Sequence, residues 1–264
     1  MANKHGEFIW YELMTRDPDA AKAFYDDVVG WTVGEPPPGG DMDYRMIAAG
    51  DGYAGGVLGL TDDMCEHGAR PVWLGYIGVD DVDATAAKLR EIGGSVLMPA
   101  KDIPNVGRIA MVADPQGVPF YIMRGAVEGG TSFAFKPMAD GHCSWNELTT
   151  TNQDGAVSFY GQLFGWESNE AMPMGEPGDY RFLDHHGIRI GAVMPRMSDS
   201  DSPIWTYYFH VPDINAATAK TEARGGKVLS GPHEVPGGEH IMVGADPEGV
   251  MFALVGPIDG VSGE

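Results

Sequence analysis

Hydrophobic and polar positions along this chain alternate between two periods. Phe8 to Leu13 is a short aromatic and aliphatic block bounded by turn-forming residues, the pattern of a strand. Asp17 and Pro18 then supply a helix cap and a first helical position. Ala21, Phe24, Tyr25 and Val28 recur at the spacing of one helical face, and Gly30 ends the helix. After a Pro/Gly-rich loop over residues 35–43, short strands are expected around Tyr44–Ile47 and Gly56–Leu60. The pattern then restarts. It predicts a strand over Trp73–Val79, a helix over Asp81–Ile92 stopped by Gly93-Gly94, and strands over Val96–Met98, Arg108–Val112 and Val118–Met123. Each run is a βαβββ unit.

The whole pattern occurs twice. Gly6-Glu7-Phe8-Ile9-Trp10-Tyr11-Glu12-Leu13 returns as Gly141-His142-Cys143-Ser144-Trp145-Asn146-Glu147-Leu148. Ala21, Phe24-Tyr25 and Gly30-Trp31 reappear as Ala156, Phe159-Tyr160 and Gly165-Trp166. Trp73, Gly93-Gly94, Asp114-Pro115 and Gly117-Val118 return as Trp205, Gly225-Gly226, Asp246-Pro247 and Gly249-Val250. A period of half the chain predicts two related domains, four βαβββ units in all. The stretch from Ala126 to Asp140 has no periodicity and opens glycine-rich. The expected boundaries are therefore 5–126 for the first domain, 127–139 for the linker and 140–257 for the second. The fold class is α+β. Paired units would form curved mixed sheets, half-barrels backed by helices, whose inner faces suit a small ligand. Units one and two could pair locally, or one with four and two with three.

Composition narrows the partners. The formal net charge of -21 opposes phosphate backbones and anionic membranes, because such binding rests on Lys and Arg. No apolar run reaches the ~18 residues of a membrane span, and the first residues show no signal-peptide core. Cys65 and Cys143 stand at unmatched positions of the two repeats, which argues against a disulfide framework and for a reducing, cytoplasmic setting. The expectation is a monomer or homodimer acting on a small molecule.

In this order and duplication, the helix ending Ala…Phe-Tyr…Gly-Trp and the Asp-Pro-x-Gly-x-x-Phe turn and strand resemble the vicinal oxygen chelate superfamily. That group includes glyoxalase I, bleomycin-resistance proteins and extradiol dioxygenases. The resemblance implies tandem glyoxalase-like domains and, by default, a divalent metal held by inward His, Gln or Glu side chains. Carried onto this chain, the ligand positions fall at Phe8 and Cys143, near Gly59 and Met194, near Leu74 and Thr206, and at Tyr121 and Ala253. Only Cys143 among them is a plausible donor, so no metal and no other cofactor is expected.

Other residues were weighed for the site. Strand alternation puts Phe8, Trp10 and Glu12 on one face, and Cys143, Trp145 and Glu147 on its counterpart. A carboxylate beside an aromatic wall is a candidate base or ligand anchor. It is equally a candidate buried pair with Arg45 or Arg181. Tyr76, Tyr121, Thr206, Tyr208 and His210 complete the candidate ligand-binding set, His210 sharing the face of Thr206 and Tyr208. His185-His186 reads as a surface hairpin turn. Two functions stay open. One is a bleomycin-resistance-like binder of a small organic molecule in an aromatic-lined concavity. The other is a lyase, isomerase or oxygenase with a rearranged site, in the His-rich second domain.

Overall fold

The computed structural model describes residues 3–39, 42–50, 52–127, 129–176, 178–198 and 200–258. Positions 40, 41, 128 and 177, which fall in the loops and linker read from the sequence, lie outside the described residues. The first half contains β1 (Phe8–Thr15), α1 (Pro18–Val28), β2 (Thr32–Val33), β3 (Tyr44–Ala49), β4 (Gly52–Gly59), α2 (Asp62–Glu66), β5 (Val72–Gly78), α3 (Val82–Glu91), β6 (Ser95–Ile103), β7 (Gly107–Ala113) and β8 (Pro119–Gly125). The second repeats it with β9 (Cys143–Thr150), α4 (Gln153–Phe164), β10 (Ala171–Pro173), β11 (Asp179–His185), β12 (Ile188–Pro195), β13 (Ile204–His210), α5 (Ile214–Ala223), β14 (Lys227–Glu234), β15 (His240–Ala245) and β16 (Met251–Gly256).

Each half builds one mixed eight-stranded sheet, in the orders β2-β3-β4-β1-β5-β8-β7-β6 and β10-β11-β12-β9-β13-β16-β15-β14. Hydrogen-bonded strand pairing thus stays within each half. The tandem α+β fold read from the sequence is the fold observed. Helix caps follow the sequence too: Asp17 accepts from the Ala20 N–H, and Asp81 from the Ala84 N–H. The periodic reading missed the two-residue β2 and the short α2, and drew β6 too short. α2 buries none of its residues and starts from a Thr61 cap, so it carries no apolar face to detect. β6 runs through Pro99 to Ile103, beyond the expected Met98. It is the last strand of its sheet, where a proline costs no internal ladder bond.

By compactness the chain divides differently. One compact unit comprises Met1–Ile9, Gly75–Ser132 and Trp145–Trp205; the other comprises Trp10–Leu74, Phe133–Ser144 and Thr206–Glu264. Each unit therefore draws on both sequence halves, and the doubled motifs explain how. In the second unit, the Tyr25 hydroxyl donates to Asp246 at 3.1 Å and accepts from the Trp73 indole at 3.0 Å. Trp31 donates to the Gly141 carbonyl at 2.6 Å. In the first unit, Tyr160 donates to Asp114 at 3.2 Å, accepts from Trp205 at 3.0 Å, and Trp166 donates to the Gly6 carbonyl at 2.8 Å. Asp114 and Asp246 also accept the backbone N–H groups that close their Asp-Pro-x-Gly turns. Burial pushes both carboxyl groups above their ordinary range, against those hydrogen bonds.

Candidate functional site

On β9, Trp145 and Glu147 are two residues apart and share a face. Tyr180 of β11 reaches both: its hydroxyl donates to Glu147 Oε2 at 2.6 Å and accepts from Trp145 Nε1 at 2.8 Å. To do so it must cross β12, which lies between β11 and β9. The residue in register with Glu147 there is Ala192, small enough to pass beneath a phenol. Phe182 packs edge-on to both Trp145 and Tyr180, and the Arg189 guanidinium lies 4.2 Å over the Phe182 ring.

The first half repeats the device. Trp10 Nε1 donates to the Tyr44 hydroxyl at 2.8 Å. Gly56 is in register with Glu12, and a Cβ at Gly56 would stand 2.3 Å from the Tyr44 oxygen. Gly56 thus leaves room for the phenol that Trp10 holds. The copies differ in exposure: Glu12 is 2% exposed, whereas Glu147 is only half-buried.

The arginine partners expected from the sequence are a correction. Arg45 pairs with Asp43 and Asp19, and Arg181 with Asp154. Glu147 takes its hydrogen bond from the adjacent tyrosine of the Tyr-Arg pair. The doubling of Tyr44-Arg45 and Tyr180-Arg181 was a true signal whose working member is the tyrosine. Alternation on a strand explains the error, since neighbouring side chains point to opposite faces.

Phe8 is a second correction. Its ring stacks on Trp166 at 5.4 Å and meets Trp205 edge-on at 5.7 Å, so it belongs to an aromatic core rather than to the Trp10 cluster. Cys143 is fully buried at the start of β9, bridged to Phe135. Tyr76 and Tyr121 are brought together, stacked at 4.3 Å on register-paired positions of β5 and β8. Thr206, Tyr208 and His210 are all buried on β13, with Tyr208 beside Ala253 of β16. His210 Nδ1 lies 2.8 Å from Asp140, and its Nε2 lies 3.8 Å from Glu239. Neither carboxylate was singled out in the sequence, because both sit in aperiodic segments. His185 is also corrected. The His186-Gly187 turn forms as expected, with positive φ at both residues, but His185 itself is buried against the His5 carbonyl at 2.9 Å. Burial pushes its imidazole below the ordinary range.

Tyr25 and Tyr180 are held protonated beyond the ordinary phenol range, mainly by burial, then by the charges of Asp246 and Glu147 respectively. A raised folded value favours the protonated fold. This stabilisation is complete below about pH 10 and is lost as pH rises through the folded values. An alkaline titration followed by tyrosinate absorbance reads this against the ordinary phenol range near pH 10. Tyr25 and Tyr180 should ionise only at higher pH or with unfolding. Tyr25→Phe and Tyr180→Phe should each remove one late-titrating equivalent. Ionisation of all tyrosines in one early step would contradict the burial argument.

The positions carried over from the family metal site hold mostly side chains without a metal donor. At its positions Phe8 and Tyr121 are committed to ring stacking, and Gly59, Leu74 and Ala253 offer no donor atom. Among the described residues, no three His, Cys, Asp or Glu side chains are placed to hold an ion. None of the helices there is long and apolar enough to cross a membrane.

Fold and doubled site together define a tandem glyoxalase-like protein. The chain belongs to the Glyoxalase/Bleomycin resistance protein/Dioxygenase superfamily, whose family model matches residues 7–122 and again 141–254. It is 33% identical over 94% of both chains to a Mycobacterium tuberculosis protein named "Putative glyoxylase CFP32". It is 29% identical to the anthracycline biosynthesis protein DnrV of Streptomyces peucetius, over 93% of this chain and 91% of that one. Among solved structures, a Mn(II)-bound glyoxalase from Novosphingobium aromaticivorans superposes with a TM-score of 0.64 at 18% identity, covering 97% of this chain and 83% of that one. Homoprotocatechuate 2,3-dioxygenase from Brevibacterium fuscum superposes with a TM-score of 0.67 at 14% identity, covering 96% and 81%. At those identities the likeness is one of fold.

Proposed function

We propose that this protein binds a planar, hydroxylated aromatic molecule, and does so without the family metal. The observation that carries this reading is the Trp145–Tyr180–Glu147 cluster, whose Trp–Tyr hydrogen bond recurs as Trp10–Tyr44 in the first half. An indole fixed through its N–H offers a rigid face for stacking. A carboxylate accepts in about four directions and so suits ligand hydroxyls. Binding of this kind needs no Lewis acid. The named role of DnrV in anthracycline biosynthesis supports an aromatic ligand class.

The test is a titration of the chelator-treated protein with 1,2-dihydroxyanthraquinone, followed by quenching of tryptophan fluorescence. Saturable quenching is expected, with the cluster of the half-buried Glu147 as its site. Unchanged fluorescence at all accessible concentrations would dismiss the reading. A second reading, an enzyme of the same superfamily working in the second half, is favoured by one observation, the Asp140–His210 pair. Glyoxalase and extradiol-cleavage assays with added Mn²⁺, Fe²⁺ or Zn²⁺ separate the two. Background rates are expected, and metal-dependent turnover would favour the enzyme.

A further inference from the structure

The segment before β1 docks through a histidine that the repeat does without. Gly6 stands at φ 92°, and a Cβ there would lie 2.9 Å from Nε2 of His185, the last residue of β11. Its counterpart Gly141 stands at φ 75°, and a Cβ there would lie 2.9 Å from the Cβ of Ala49, the last residue of β3. Each glycine also gives its carbonyl to an indole, Gly6 to Trp166 at 2.8 Å and Gly141 to Trp31 at 2.6 Å. Each junction lies inside one compact unit. The same junction is therefore built once with alanine, so the fold itself does not demand an imidazole.

Geometry fixes which nitrogen of His185 carries the proton. Nε2 lies 2.9 Å from the His5 carbonyl, which can only accept, so Nε2 is the donor. Nδ1 is buried and has no hydrogen-bond partner among the described residues. A second proton would place a charged N–H where water does not reach. Burial is the largest influence on the ring and, with His186, holds it below the ordinary imidazole range; the His5 and Gly165 carbonyls and the Glu7 carboxylate act the other way. Glu7 Oε2 already accepts from Asn3 Nδ2 at 3.0 Å and from the Lys4 N–H at 2.9 Å. The His5 ring faces elsewhere, its Nε2 donating to the Leu163 carbonyl at 2.9 Å and its Nδ1 accepting from the Asp80 N–H at 3.3 Å.

We propose that His185 is an acid-sensitive latch: its neutral ring holds residues 3–7 against α4 and β11, and protonation releases them. The segment lies ahead of β1, so it opens without breaking a strand pair. Release takes the Gly6 carbonyl from Trp166 and the His5 ring from Phe164, 5.9 Å away, and so uncovers two aromatic side chains. A ring whose folded value is depressed favours the closed form fully above its ordinary value near pH 6.5. That preference declines as pH falls from there toward the folded value. The latch goes beyond the ligand-binding reading and does not rest on it.

The two indoles supply an internal comparison, because Trp166 and Trp31 make the same bond and only one junction carries a histidine. Hydrogen exchange of both indole N–H groups is followed by NMR on the intact protein, the intrinsic pH dependence of exchange being common to the two. Between about pH 7.5 and about pH 5, the ratio of the Trp166 rate to the Trp31 rate is expected to rise about tenfold. His185→Ala copies Ala49, and His185→Gln keeps a donor for the His5 carbonyl without a titrating ring. In both variants the ratio should change by less than about twofold over the same range. A flat ratio in the unsubstituted protein, the full rise in either variant, or simultaneous loss of protection at both indoles would overturn the latch.

Discussion

Replacing Trp166 with alanine is expected to lower the free energy of unfolding by about 3–5 kcal/mol, the range for removing a buried aromatic side chain. The indole is 4% exposed. It stacks on Tyr160 at 5.3 Å and on Phe8 at 5.4 Å, and touches Phe164 at 5.2 Å and Trp205 at 6.0 Å. Its N–H holds the Gly6 carbonyl at 2.8 Å, tying the segment before β1 to α4. Alanine loses the stacking, the hydrogen bond and the packed volume together. Trp166→Phe keeps a ring and loses chiefly the N–H, which leaves a buried carbonyl short of a donor and costs about 1–3 kcal/mol. Denaturant unfolding at equilibrium reads both. A loss below about 1 kcal/mol for Trp166→Ala would mean that this cluster does not hold the first compact unit together.

The second large effect separates the two glutamates. Glu147 is half-buried, and Glu147→Gln is expected to weaken dihydroxyanthraquinone binding in the second half by at least about tenfold, or 1.4 kcal/mol. Stability should change by less than about 1 kcal/mol, since the amide oxygen still accepts from Tyr180. Glu12 is 2% exposed, and its substitution acts chiefly on the fold. Glu12→Gln is expected to lower stability by about 1–3 kcal/mol, the scale for a buried charged hydrogen bond. Paired fluorescence titrations and denaturant melts on the two variants test the division. Identical behaviour of the two copies would contradict it.

The fold was legible because its signals were local and repeated. Alternation in Phe8–Leu13, the Ala21–Val28 helical face and the Asp-Pro-x-Gly turns each report on their own segment, and duplication confirmed their order. The site was legible only in part. Trp10, Glu12, Trp145 and Glu147 could be placed on a common face by counting. Their tyrosine partners come from β3 and β11, two strands away, and the sequence carries no measure of that distance. Gly56 and Ala192 were the available clue, as small residues where a side chain must cross. Phe8 was misplaced because counting gives a face and not a neighbour; its neighbours, Trp166 and Trp205, come from the other repeat. The repeated Trp31, Trp73, Asp114 and their counterparts were read as family marks. In the structure they are the hydrogen bonds by which each compact unit unites the two halves.

The central claim is that this member of the superfamily binds its ligand through side chains instead of a metal. It is tested most directly by measuring dihydroxyanthraquinone affinity on one preparation, first after exhaustive chelation and then after addition of Mn²⁺, Fe²⁺ or Zn²⁺. Equal affinity and equal stoichiometry in the two states are predicted, with Glu147→Gln weakening both alike. Binding that appears only with added metal would contradict the account.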